Sequence, residues 1–260
     1  MRMPKDFIQK RSLTIVYGDV ALEPYSTVDC ESPDRVWTIL SHVRDLADFV
    51  EPVPCPMADL LLCHTESLIA SVKRDGLVFQ AAASAAGGAI QAAERALVGP
   101  AFALVRPPGH HAGRAFNGGF CFFNNIAVAL KKLLASGAVR SALIVDIDLH
   151  YGNGTDDIFN DDNRVTFRNI SASERTEFFH DLDEALADAA RYDIVGCSAG
   201  FDTYIRDWGN LLFTEDFRRI GAMLASSNAH FFSVLEGGYY IEDLGENVRA
   251  YLEGIRSGCS

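Results

Sequence analysis

No apolar run in this 260-residue chain approaches the roughly 20 residues that a membrane-crossing helix needs. The longest mild stretch, 81–93, is rich in Ala and Gly and interrupted by Gln91, so it reads as a buried helix. Paired cysteines are also missing. The six cysteines stand at 30, 55, 63, 121, 197 and 259 with no CxxC spacing, which excludes a disulfide framework and a zinc ribbon. Cys121 and Cys197 lie in apolar stretches and read as buried free thiols, so a reducing, cytoplasmic compartment is the expectation. Positive charge is in short supply. Against 35 acidic residues there are 23 basic ones, a net charge of −12, which argues against direct binding of a nucleic-acid backbone and modestly favours cationic substrates. The first dozen residues, MRMPKDFIQKRS, have no apolar core of the kind a signal peptide carries. Internal repeats, low-complexity tracts and a linker that would split the chain are absent too.

What is present is an alternation of short β-branched runs with helical patterns. Strands are expected at 12–17, 59–63, 101–105, 142–147, 164–169, 194–198 and 231–235. A helix opened by Pro33 and Asp34 carries Val36, Leu40, Val43, Leu46 and Val50 at helical spacing, until Pro52, Pro54 and Pro56 end it. Further helices are expected at 65–73, 77–98, 122–136 (closed by Gly137), 155–159, 181–191, 241–255 and after Thr214 as cap. In 77–98, Gly87 and Gly88 mark a place where another backbone approaches closely. Such alternation implies an α/β fold with a mostly parallel sheet, its strand 142–147 central, covered on both faces. A single domain over 1–260 is the economical reading; the second choice is an amino-terminal cap to about residue 55 on an α/β core.

Ligands of open α/β sheets bind beyond the carboxyl ends of the strands. Four strands here lead into loops of unusual polar content. After 101–105 comes RPPGHHAGRAFNGGF with His110 and His111; after 142–147, the set Asp146, Asp148 and His150; after 194–198, SAGFDTYIRDWGN with Asp202; after 231–235, EGGYY with Tyr239. Asp146, Asp148 and His150 fall at alternate positions, which in an extended strand puts them on one side. Each cluster alone is more often a turn or a surface histidine; four at one end of one sheet form the pattern of a shared site. Asp148, His150 and Asp202 make an oxygen–oxygen–nitrogen set of the kind that holds a catalytic zinc with one position open. His110 and His111 are natural proton carriers near neutrality. Tyr239, aimed by Gly237 and Gly238, can donate its hydroxyl to an oxyanion. Phe120 follows two glycines at the site mouth and is the aromatic best placed to touch a substrate.

RPPGHHA, FNGGFCFFNN, DIDLHYGNGT, SAGFD and LEGGY together resemble the motifs of the zinc-dependent histone deacetylase family, which includes acetylpolyamine amidohydrolases and acetoin-utilisation proteins, with a lean toward its class II-like branch. SPDR (32–35), LLLCHT (60–65) and AAGGAI (85–90) fit more loosely. The resemblance implies an arginase-like open three-layer α/β sandwich and hydrolysis of an acyl amide, with a small-molecule or peptide acyl-amine as partner and no membrane. It implies one zinc ion per chain on Asp148, His150 and Asp202. It makes His110 and His111 the active-site histidines, with His111 the general base and acid, and Tyr239 the residue that polarises the acyl carbonyl. Asp146 then orients the first histidine and lies by a structural potassium ion. Gly119 and Phe120 form one wall of the substrate tunnel, and Arg35 stands near the route by which acetate leaves.

Several positions depart from the family pattern. Asn153 stands where some members have Asp beside the second histidine, Tyr151 replaces a frequent His, and Asn169 replaces a potassium-binding serine. Phe178 or Phe179 is the candidate for the second tunnel wall, and Asp75 for the rim aspartate. Asp207-Trp208-Gly209 is one residue shorter than the usual Asp-Pro-X-Gly, which puts Trp208 at the substrate rim. The shortened rim predicts a shallow, open pocket. Two other functions compete: a non-catalytic acyl-amine binder on the same fold, and an arginase-like two-manganese hydrolase, which would need more carboxylates than the chain places together.

Overall fold

The computed structural model describes residues 12–258; the reading of the amino-terminal dozen falls almost wholly outside them. Seven strands form one sheet: β1 Thr14–Val16, β2 Asp48–Val50, β3 Ala101–Ala103, β4 Ala142–Asp146, β5 Val165–Asn169, β6 Ile194–Ala199 and β7 Phe231–Leu235. Around it lie α1 Asp34–Val43, α2 Met57–Leu60, α3 Glu66–Val72, α4 Gly76–Ala96, α5 Asn125–Ser136, α6 Asn153–Phe159, α7 Arg175–Leu186, α8 Thr214–Ser227 and α9 Ile241–Gly258. The strand order is β2-β1-β3-β7-β6-β4-β5, with every pair parallel.

Alternation along the strands sends side chains to two separate cores. Ala101, Ala103, Ile144, Phe232 and Val234 pack under α4 and α5. Ile15, Phe102, Leu143, Val145, Val195 and Phe231 pack under α1, α8 and α9. Both faces are covered, so the inner strands β3, β4, β6 and β7 are buried along their whole length, while the edge strands β2 and β5 carry polar, partly exposed residues. Among the described residues, no helix is long and apolar enough to cross a membrane.

Local chemistry sets the helix ends. Asp75 accepts from the N–H groups of Leu77 and Val78 and so caps α4, and Asn124 accepts from Ala127 N and caps α5. Gly137 closes α5 in the left-handed conformation. A Cβ on Gly87 would lie 1.9 Å from Val53 O, so the proline-rich segment 51–55 runs directly against α4, as the Gly-Gly pair suggested.

The structure corrects four expectations. The helix begun at Asp34 stops at Val43, and residues 48–50 form β2 beside β1 instead. Leu46 and Val50 matched helical spacing by coincidence, and a three-residue strand is too short to display a period of its own. The run 59–63 is a turn of helix, α2, and the turns after it. Strand 142–147 lies one place from the edge, with β7 in the middle. Thr214 is the first residue of α8; the side chain that reaches back to the chain entering it is Asp216, which accepts from Phe213 N at 2.9 Å.

Candidate active site

The four loops singled out by composition follow β3, β4, β6 and β7, and these are four consecutive neighbours in the sheet. Register keeps their ends level: Ala103 pairs with Val234, Val234 with Ser198, and Ser198 with Asp146. Residues far apart in the chain therefore emerge together at one end of the sheet.

The alternating triplet reaches the site by a different route from the one its spacing suggested. β4 ends at Asp146, and residues 148–150 are bends. Side chain-to-backbone bonds fold this segment: Asp146 Oδ1 accepts from Asp148 N at 3.1 Å, and Asp148 Oδ1 from His150 N at 2.9 Å. Asp202 Oδ1 accepts from Leu149 N at 3.0 Å, stitching the β6 loop to the β4 loop.

The result is one compact donor set. Asp148, His150 and Asp202 each present an atom within 4.8 Å of the others. His150 Nδ1 is 3.1 Å from Asp148 Oδ1 and 3.0 Å from Asp202 Oδ2. Both carboxylates are buried, and Asp202 Oδ2 receives no well-directed hydrogen bond from any group. Burial and the charge of Asp148 push the Asp202 carboxyl up to about 6, while the close carboxylates of Asp148 and Asp202 pull the His150 imidazole up to about 10. Two buried carboxylates around one ring call for positive charge, and oxygen and nitrogen donors at this spacing fit a divalent ion such as zinc. Space is kept by glycine: a Cβ on Gly237 would lie 2.6 Å from Asp148 Oδ2 and 2.8 Å from Asp202 Oδ2.

The adjacent histidines are held in opposite states. His110 is buried, with Nδ1 3.0 Å from Asp146 Oδ2 and Nε2 3.6 Å from Asp148 Oδ1. Although burial alone would lower its pKa, these carboxylates raise it well above the usual value. His111 goes the other way: burial and the charge on His110 lower its pKa. His111 Nδ1 lies 2.7 Å from Asn153 Oδ1, an acceptor only, so Nδ1 carries the proton and Nε2 keeps a lone pair. A Cβ on Gly119 would stand 2.2 Å from His111 Cδ2, and Gly119 itself has φ +54°. Phe120, at φ +66°, continues this left-handed turn into the site wall.

A cavity of about 110 Å³ lies over this set, lined by Pro108, His110, His111, Gly119, Phe120, His150, Trp208, Gly237 and Tyr239. Its walls are aromatic. Tyr239 meets Phe120 edge-on at 5.9 Å and stacks on Trp208 at 4.2 Å and 21°. Trp208 lines the same cavity as Phe120. Phe178 and Phe179 are packed in the core beside α7, which removes them as tunnel candidates. Asp75 is engaged as the α4 cap. The cavity is far smaller than the ~300–1,000 Å³ of drug-sized sites. Asn169 turns its Oδ1 to Gly152 N at 2.9 Å, and Tyr151 is half exposed beside Phe167.

Three supports escaped the sequence reading. Glu236 is fully buried and accepts from Gly109 N at 2.6 Å and His110 N at 3.1 Å, holding the histidine loop; burial pushes its carboxyl up to about 7. A lone Glu ending the apolar run FFSVL was the available signal. Asp207 accepts from the N–H groups of Tyr239 and Tyr240 at 2.6 and 2.8 Å. His64, buried, accepts from Asn124 N at Nε2 (3.0 Å), which leaves Nδ1 to donate to Gly113 O (2.8 Å). Arg35, placed by its motif near the site, is fully buried. It donates to Gly238 O at 2.7 Å and to Glu236 O, with its guanidinium 4.8 Å from the Tyr239 ring centre.

Comparison with known proteins agrees with this architecture. A family model described as the histone deacetylase domain matches residues 76–180. Acetylpolyamine amidohydrolase 1 of Pseudomonas aeruginosa is 36% identical over 264 aligned residues, covering 84% of this chain and 76% of that protein. The chain belongs to the histone deacetylase family. Membership places it among enzymes that hydrolyse amides. The acetylpolyamine amidohydrolase of Mycoplana ramosa is 33% identical over 216 residues, 68% of this chain and 63% of that protein's length. The crystal structure of the HDA15 HD domain superposes with a TM-score of 0.84 at 23% identity, covering 95% of this chain and 90% of that one, and so shares the fold. In this family's frame the arginase-like two-manganese alternative lacks its ligands. The other buried group of potential ligands among the described residues, His110, Cys121 and Glu236, contains a single carboxylate.

Proposed function

We propose that this protein is a zinc-dependent deacetylase that removes an acetyl group from a small or side-chain primary amine, of the acetylpolyamine or acetyl-lysine type. The observation that carries the reading is the convergence of Asp148, His150 and Asp202 into one donor set, with His150, His111 and Tyr239 lining one small cavity. Zinc on those three residues supplies Lewis-acid chemistry, activating water and polarising the acyl carbonyl.

The chain's own groups carry the rest. Phe120 lines the slot and would grip the methylene chain next to the amide, excluding water. His111 Nε2 has a free lone pair and takes the proton of the attacking water. The same nitrogen then returns it to the departing amine. The Tyr239 hydroxyl is kept protonated by burial, which raises its pKa, and it donates to the oxygen that gains charge at the acyl carbon. Asp148 and Asp146 favour the charged form of His110, and burial together with that neighbouring charge lowers the basicity of His111. The volume of about 110 Å³ favours acetyl over long acyl groups. The acidic surface draws amine substrates that carry further positive charge. Five buried or half-buried free thiols among the described residues suit a reducing cytoplasm.

The test is metal content by mass spectrometry together with acetate release from N-acetylputrescine and from an acetyl-lysine peptide, before and after chelation and zinc return. One zinc per chain and zinc-restored turnover are expected. A protein that holds zinc and binds acetylated amines but releases no acetate is the non-catalytic binder, and the proposal fails.

A further inference from the structure

We infer that Asp207 and Trp208 form a clamp that holds Tyr239 in its working position, so that Trp208 is a positioning residue acting through the tyrosine. The inference rests on the hydrolase reading above, in which the Tyr239 hydroxyl is the oxyanion donor.

Tyr239 needs outside support. It lies in residues 236–240, a segment without helix or strand geometry between β7 and α9, next to Gly238 at φ +123°. No helical or ladder hydrogen bond fixes its backbone, and an isolated phenol on a glycine turn swings freely. The clamp supplies two restraints from one short segment. Asp207 Oδ2 accepts from both Tyr239 N (2.6 Å) and Tyr240 N (2.8 Å), fixing the turn. The Trp208 indole stacks on the Tyr239 ring at 4.2 Å and 21°, fixing the side chain. The guanidinium of Arg35 lies over the same ring at 4.8 Å. A cation and a near-parallel indole cannot occupy the same face, so the phenol is sandwiched.

The clamp is itself anchored. Trp208 N donates to Asp207 Oδ1 at 2.8 Å, and Gly209 N donates to Asp202 O at 2.7 Å, closing the loop on the metal-ligand candidate. Tyr204 and Arg206 tie the same loop to Asp243 at the start of α9 with bonds of 2.8 and 2.9 Å. Core packing does not account for Trp208, because its indole is 52% exposed, and its ring contacts are Tyr239 and His150.

A double-mutant cycle separates the clamp from a direct substrate contact. In the zinc-loaded enzyme, Trp208→Ala should lower kcat about 10- to 100-fold with KM nearly unchanged, because small misplacement of a catalytic group costs up to about 10² in rate. Trp208→Phe, which keeps a stackable ring, should recover most of that loss. In a Tyr239→Phe background the further cost of Trp208→Ala should vanish. Should Trp208→Ala not fold, Trp208→Leu serves, keeping apolar bulk without a flat face. An independent optical test uses the two tryptophans of the chain: with Trp37→Phe, Trp208 is the sole indole, and Tyr239→Ala should shift its emission to longer wavelength. A raised KM with unchanged kcat, an equal penalty in both backgrounds, or an emission indifferent to Tyr239→Ala overturns the clamp. Full turnover by Tyr239→Phe alone would instead overturn the assignment of the oxyanion donor, a separate failure.

Discussion

The two ends of the sheet carry cavities of opposite character. At the amino ends of β4, β6 and β7 lies the larger, about 660 Å³, lined in part by Arg140, Tyr192, Asp193, Asn228 and His230. Its polar groups are spent on one another: Arg140 pairs with Asp193 at 3.1 Å, Asn228 donates to Ala189 O and Tyr192 O, and His230 donates to Asp193 O at 2.9 Å. At the carboxyl ends lies the smaller, about 110 Å³, beside two crowded carboxylates, one histidine whose pKa is raised and one whose pKa is lowered, and a buried oxygen on Asp202 with no well-directed hydrogen bond. Chemical capacity follows unbalanced charge and unmet hydrogen-bonding need rather than volume. Parallel strands explain why the imbalance collects at one end: every loop leaving a carboxyl end can bring one group, and here four neighbouring loops do so.

The sharpest way to break the contrast is to remove a carboxylate from the crowded end. Asp202→Asn is expected to lose stoichiometric zinc, read by mass spectrometry, and to reduce acetate release to background. The metal-free proteins give a second readout. Burial raises the Asp202 pKa to about 6, above the ~3.9 of an unfolded Asp, so the ionised carboxylate disfavours the folded state at neutral pH. The sign follows: the penalty is absent below pH ~4, grows between ~4 and 6, and is complete above 6. Metal-free Asp202→Asn should therefore melt higher than metal-free wild type at pH 8, with the gap closing as pH falls toward 4. An equal or lower melting temperature at pH 8 would mean the two carboxylates are not in conflict.

Tyr239→Phe comes next. Losing one oxyanion donor costs about 10²–10³ in kcat, and zinc should be retained because the hydroxyl lies outside the ligand set. Loss of zinc along with rate would show the tyrosine acting as a structural member of the metal site.

A milder change sharpens the difference between the two histidines. His111 is active when neutral, so kcat/KM rises as pH passes upward through its pKa, and burial and His110 place that limb below the usual histidine range. Asn153→Asp puts a carboxylate at the 2.7 Å contact, stabilises the imidazolium and should move the limb to higher pH, with little change on the plateau. A pH profile that does not move would remove His111 from the role of base.

The same contrast explains what could be read before folding. The convergence of Asp148, His150, Asp202, both histidines and Tyr239 was legible because reactive types stood just after apolar strand runs, and a family resemblance joined Asp202 to residues about fifty positions earlier. Trp208 was placed at the rim, yet its stack on Tyr239 was invisible, since ring contacts depend on loop geometry that local pattern does not encode. Glu236 and Asp207 were missed because each works by accepting backbone N–H groups, and a backbone donor leaves no mark in the sequence. β2 is three residues long, too short for a period of two to outweigh a chance helical spacing such as Leu46 and Val50.

The smallest effect is expected at the larger cavity. His230→Ala removes one hydrogen bond to Asp193 O from a half-buried ring, worth about 1 kcal/mol. The melting temperature should fall slightly, while zinc content, kcat and KM stay at wild-type values. His230 precedes β7, whereas Tyr239 follows it, so the whole strand Phe231–Leu235, roughly 16 Å at ~3.3 Å per residue, separates the two ends. A core packed on both faces resists small shifts at either end. Were His230→Ala to change kcat/KM tenfold with zinc intact, the sheet would be transmitting strain along β7, and the two ends could no longer be treated as independent.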